Sequence, residues 1–123
     1  MCSMRNGSPA LIRRFYRIVP SRNLMRDHFA SYGELGVRPK RPLTPREEER
    51  WWGLSVFDTE PAAEQRSDES PWIGRYIATI EIPPDARVRY QQTSRNPHHF
   101  TIWARPEDLL RWVVFVRYLD EVQ

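Results

Sequence analysis

The segment 96–118, NPHHFTIWARPEDLLRWVVFVRY, constrains the fold most, because its hydrophobic period changes twice along its length. In His99-Phe100-Thr101-Ile102-Trp103 successive side chains alternate, so His99, Thr101 and Trp103 share one face and Phe100 and Ile102 the other. Pro106-Glu107-Asp108 then opens a helix that carries Leu109, Leu110 and Trp112. The uninterrupted apolar run Val113-Val114-Phe115-Val116 reads as a central strand buried on both faces. Asn96-Pro97 makes a turn that sets His98 and His99 at the entrance of the first strand. A polar-headed face ending in tryptophan and backed by an apolar one suits the floor of a cleft, and it equally suits an ordinary half-exposed strand.

The rest of the chain supplies the partners. Residues 1–12 read as a flexible leader and 13–123 as a single α+β domain. Arg14–Val19 forms a strand with Tyr16 and Ile18 on one face and Phe15, Arg17 and Val19 on the other, stopped by Pro20. A short helix capped by Ser21 or Asn23 is expected next, with Leu24, Met25, His28, Phe29 and Tyr32 on one stripe and Gly33 at its end; His28 there is a packed, hydrogen-bonded residue. Residues 33–45, with two glycines and three prolines, form an irregular loop suited to contacting a substrate. Thr44-Pro45-Arg46-Glu47 combines a capping box with proline at the first helical position. Leu54–Phe57 is a strand, Asp58-Thr59-Glu60-Pro61 caps and starts a polar surface helix, Tyr76–Ile82 is a strong strand and Val88–Gln91 a short one. The order β, α, α, β, α, β, β, β, α, β gives an α+β domain with short helices on a mixed, mostly antiparallel sheet.

Composition removes several function classes. At 123 residues one core is the expectation. The 12% aromatic share, with five tryptophans, argues against a disordered chain. No run approaches the roughly 20 apolar residues of a membrane span, and the beginning of the chain lacks the apolar centre of a secretory signal, so no membrane partner and a cytoplasmic location are expected. Cys2 is the single cysteine, so there is neither an internal disulfide nor a cysteine metal cluster. His98 and His99, adjacent on a strand, point to opposite faces and do not share a metal without a bend, so no metal is expected. Ser55, His99 and Asp58 spell a catalytic triad on paper, without the G-x-S-x-G elbow that would expose the serine. Of the 19 basic residues 18 are arginine, which fits a GC-rich coding sequence and also keeps an anionic ligand open, since arginine binds phosphate bidentately.

The order of motifs resembles one family. Phe15-Tyr16-Arg17 followed by Pro20-Ser21-Arg22 resembles the opening of the arginine-type ADP-ribosyltransferases, the layout of cholera-like and pertussis-like toxins. Gly53-Leu54-Ser55-Val56-Phe57-Asp58-Thr59 ahead of a helix looks like that family's serine-containing strand, and Tyr76–Ile82 is similar to the strand that follows. His99–Trp103, Pro106 and the strand after it resemble the last motif, a catalytic strand ahead of the closing one. The likeness is one of layout over residues 14–118. It implies that Arg17 binds the phosphates of NAD and that Ser55 braces the nicotinamide ribose. It also implies that His99 stands where the family has its catalytic glutamate. A neutral imidazole can hold a ribose hydroxyl but supplies no negative charge to an oxocarbenium-like transition state. Tyr76 and Trp52, with Trp51, are candidate platforms for the nicotinamide, and equally aromatics of a small core. The resemblance permits an NAD-consuming toxin or effector, a phosphate-handling enzyme like the RNA 2′-phosphotransferases, or a nucleotide-binding fold that has lost catalysis. The alternative is a non-catalytic binding module for RNA or an acidic protein partner. Clustering of Arg17, Arg75 and Arg89 around one concave site would favour the nucleotide.

Overall fold

In the computed structural model, which describes residues 13–121, the element order matches the pattern read from the sequence except that a 3-10 turn stands at the second position and a further one, Pro71–Ile73, precedes the strand Tyr76–Ile82. Strands β1 (Arg13–Val19), β2 (Leu54–Phe57), β3 (Tyr76–Ile82), β4 (Arg89–Gln92), β5 (His99–Trp103) and β6 (Val113–Tyr118) form one six-stranded sheet in the order β4-β5-β2-β1-β3-β6. Every pairing is antiparallel, so the expected mixed component is absent among the described strands. Three helices accompany it, α1 (Pro45–Trp51), α2 (Glu60–Glu69) and α3 (Pro106–Arg111). None of the described helices is long and apolar enough to cross a membrane. The leader expected over residues 1–12 lies outside the described residues.

Each face of the sheet has its own cover. Phe15, Val19, Val56, Ile80 and Ile102 pack with Phe29 and with Leu109 of α3 on one side. Ile18, Phe57 and Ile77 pack against Ala62 and Ala63 of α2 on the other. Helix α2 is as polar as its sequence suggests and turns only Ala62, Ala63 and Ser67 inward. Its Thr59 cap accepts a hydrogen bond from the Ala62 amide, as the sequence led one to expect. The Thr44 and Glu47 side chains likewise complete the capping box of α1.

The helix expected over Leu24–Tyr32 is reduced to a single 3-10 turn, Arg26–Phe29. Three local side chains supply the reason. His28 Nδ1 accepts from the Met25 amide at 3.1 Å. Ser31 and Glu34 exchange side-chain bonds with each other's backbone amides, which diverts the chain into a turn over residues 32–36.

Strand β6 is an edge strand and not the buried central one that its apolar run suggests, with Val114 and Phe115 each 57% exposed. Two features blunt that edge. The β3–β6 register slips between Thr79 and Ile80, leaving Val114 without a partner, and Arg22 donates to the Val116 carbonyl at 3.3 Å.

Candidate functional site

The centre of the sheet is a seam. β1 pairs with β3 along its whole length, Arg13↔Ile82 to Val19↔Tyr76, but with β2 only at Tyr16↔Phe57. Continuing that register would set Ile18 opposite Ser55. Instead the Ser55 carbonyl accepts from Arg17 Nη1 at 2.9 Å, and Arg17 Nε donates to the His28 carbonyl at 3.2 Å. The guanidinium therefore occupies the gap where backbone bonds would have closed the ladder.

The gap opens into a cavity of about 610 Å³, within the 300–1,000 Å³ range typical of small-molecule sites. By strict alternation Arg17 belongs to the face of Phe15 and Val19, whereas Ser55 and His99 belong to the opposite one. All three nevertheless line this one cavity, because the seam joins the two faces there. One wall comes from residues 30–32 and α1, tied together by the Gly33 amide donating to the Trp51 carbonyl at 2.9 Å. The other comes from α2 and the 3-10 turn Pro71–Ile73.

The electrostatics are one-sided. Arg17, Arg41, Arg50 and Arg66 line the cavity with a single carboxylate, Glu47. Glu47 is spoken for by Arg41 at 2.5 Å, and that guanidinium together with the Thr44 amide holds its pKa down at about 2. No carboxylate among the described residues pairs with Arg17, Arg50 or Arg66. Arg17 is half-buried, and desolvation pushes its pKa down to about 10. A cation held this way, bonded only to two carbonyls, is costly in the absence of an anion.

His99 stands at the head of β5 with its ring edge-on to Phe57, centroids 5.5 Å apart. Burial, then the charges of Arg50 and Arg66, hold its pKa below 6.5, so it is neutral at pH 7. Its Nδ1 lies 3.4 Å from Thr93 Oγ1, which itself shares a 2.6 Å hydrogen bond with Thr101 Oγ1. Asp58 does not orient His99, because its carboxylate is bound to His98 Nδ1 at 2.9 Å. The Ser-His-Asp set spelled by the sequence is thus not assembled. Among the described residues no three His, Cys, Asp or Glu side chains converge on a metal-sized position.

Of the expected site residues, Arg17, Ser55 and His99 come together, while Trp52 and Tyr76 lie elsewhere. Trp52 covers Gly33, where a Cβ would sit 2.4 Å from the indole, and borders a separate hollow of about 400 Å³. Tyr76 stacks on Tyr118 at 4.8 Å beneath Arg22. The clustering of Arg17, Arg75 and Arg89 that would have favoured the nucleotide does not occur. Arg75 is held by Asp68 and Asp120, and Arg89 lies 3.9 Å over the Trp103 ring and pairs with Glu49. The arginines that do converge, Arg41, Arg50 and Arg66, were not singled out by the sequence reading. Arg41 carried one signal, its place in the Gly- and Pro-rich loop.

Comparison with protein-family models, curated proteins and solved structures finds no match to this chain.

Proposed function

We propose that the seam cavity binds NAD or a closely related nucleotide, in a domain of ADP-ribosyltransferase-like layout whose catalysis is altered or lost. The observation that carries this reading is Arg17. It is desolvated, lacks a carboxylate partner, and shares its cavity with Ser55 and His99. A pyrophosphate would supply the missing countercharge to Arg17, Arg50 and Arg66, and each charge-assisted bond to it contributes about 1.5–3 kcal/mol. Tyr32 and Trp51, packed at 4.9 Å, offer an apolar wall for a ring.

The role given to His99 follows from its charge. A neutral imidazole accepts or donates one hydrogen bond to a ribose hydroxyl and contributes no negative potential to a cationic transition state. Glu47, the cavity's one carboxylate, is neutralised by Arg41. Tight binding with slow or no nicotinamide release is the behaviour this arrangement supports. RNA binding ranks second, since many arginines outside the cavity, among them Arg14, Arg75, Arg105, Arg111 and Arg117, are already paired with carboxylates.

The test is calorimetric titration of the full chain with NAD, with nicotinamide release followed in the same samples. Binding by the wild type that weakens about 10- to 100-fold in Arg17→Met is expected. Absence of NAD binding by the wild type refutes the reading.

A further inference from the structure

Trp72 is the most exposed large hydrophobic side chain among the described residues, at 82%, yet it stands on the lining of the seam cavity. Its neighbours in the cavity are engaged. Trp51 donates its indole N–H to the Val37 carbonyl at 3.0 Å and packs on Tyr32, whereas Trp72 has no aromatic, cation–π or hydrogen-bond partner among the described residues. An indole left in water forgoes burial of some 150–250 Å² of largely apolar surface.

The turn that carries it is rigid. Pro71 opens the 3-10 turn, the Ile73 amide donates to the Ser70 carbonyl at 3.0 Å and the Gly74 amide to the Pro71 carbonyl at 3.2 Å. The fully buried Ser67 hydroxyl donates to the Gly74 carbonyl at 2.6 Å. Gly74 has φ +150°, and a Cβ there would lie 2.4 Å from the Val19 carbonyl oxygen, so the turn is pressed against the end of β1. Ile73 packs into the core beneath α2 while its neighbour Trp72 is held outward. The backbone that carries the indole is therefore set before any ligand arrives, and little backbone ordering entropy remains to oppose stacking.

We infer that Trp72 is a stacking post for the planar ring of the cavity's ligand, the ring being tethered by phosphates that lie among Arg17, Arg50 and Arg66. Charge complementarity selects this occupant, because three arginines without carboxylate partners line the same cavity and Arg66 lies on the helix that leads into the turn. A ring that also carries phosphate satisfies both features at once. The inference rests on the reading of the cavity as a nucleotide site and adds the residue that holds a ring.

The experiment is titration of the full-length wild type, Trp72→Ala and Trp72→Phe with NAD and, separately, with inorganic pyrophosphate. Base–aromatic stacking corresponds to about a 5- to 100-fold effect on affinity. Trp72→Ala is expected to lose that much for NAD, with Trp72→Phe close to wild type and pyrophosphate binding equal in all three. Unchanged NAD affinity in Trp72→Ala overturns the stacking role and leaves the nucleotide reading standing. Equal losses for NAD and pyrophosphate also overturn it, since a stacking residue does not touch the phosphates. A wild type that binds neither ligand overturns the stacking role together with the nucleotide reading.

Discussion

Replacing Arg17 by methionine separates a ligand-binding guanidinium from a structural rivet. Depressing the Arg17 pKa from the usual guanidinium range to about 10 corresponds to a penalty of about 3 kcal/mol for keeping the charge in the ligand-free protein. That penalty is fully present at neutral pH and is relieved only as pH rises through about 10, because the folded state then gives up a proton that the unfolded state retains. Against it stand two bonds to the carbonyls of His28 and Ser55, which at about 1.5 kcal/mol each add up to a similar amount. Methionine fills comparable space and removes the desolvated charge together with its two bonds. The net change is close to zero, so the ligand-free variant should melt within about 5 °C of wild type. With NAD near 100 times Kd, wild type gains about 2.7 kcal/mol and the variant about 0.4–1.4 kcal/mol. Scanning calorimetry with and without NAD reads both quantities. A ligand-free variant that melts more than about 15 °C below wild type would mean that Arg17 holds the two halves of the sheet together, and the anion argument would fail.

Three further outcomes can be checked. Because His99 is held below 6.5 when folded, the unfolded chain takes up its proton first, so stability is full above that value and declines as pH falls below it; His99→Gln should remove part of the loss seen on melting at about pH 7.5 and pH 5.5. Gly74→Ala places a methyl 2.4 Å from the Val19 carbonyl oxygen at a φ of +150°, and chemical denaturation should register a loss of at least about 2 kcal/mol. Thr44→Ala removes the cap of a helix that buries none of its residues, so a loss of about 1 kcal/mol in denaturation is expected, accompanied by weaker NAD binding because Glu47, Arg50 and Trp51 ride on that helix.

The strands were legible because their period is local: Leu54–Phe57, Tyr76–Ile82 and His99–Trp103 have the bounds expected of them. So were the helix starts at Thr44 and Thr59, where a hydroxyl meets the first free amides. Strand position was not legible. Val113–Val116 is as apolar as a central strand, and only the pairing order, set by long-range contacts, puts it at an edge. The shared cavity of Arg17, Ser55 and His99 was expected from motif order, yet the alternation of β1 and β2 puts Arg17 on the opposite face. It takes the failure of the β1–β2 ladder after one pair to reconcile the two, and no local pattern in Tyr16–Val19 or Leu54–Phe57 announces that failure. Aromatics were the least legible of all. Trp51, Trp52 and Trp72 share a residue type and differ only in surroundings, one locked by a carbonyl, one laid over a glycine and one left in water.

A sheet of this size is ordinarily stiffest in the middle and loosest at its rims. With a lone residue pair joining β1 to β2, the compliance here lies at the midline, between two three-stranded slabs held by longer ladders, of which only β3–β6 carries a register slip. Amides of Ile18 and Ser55 should therefore exchange with deuterium sooner than those of Ile77 or Ile102. Substitutions that tilt one slab against the other would retune the width of the cleft while each slab's own pairing stays intact.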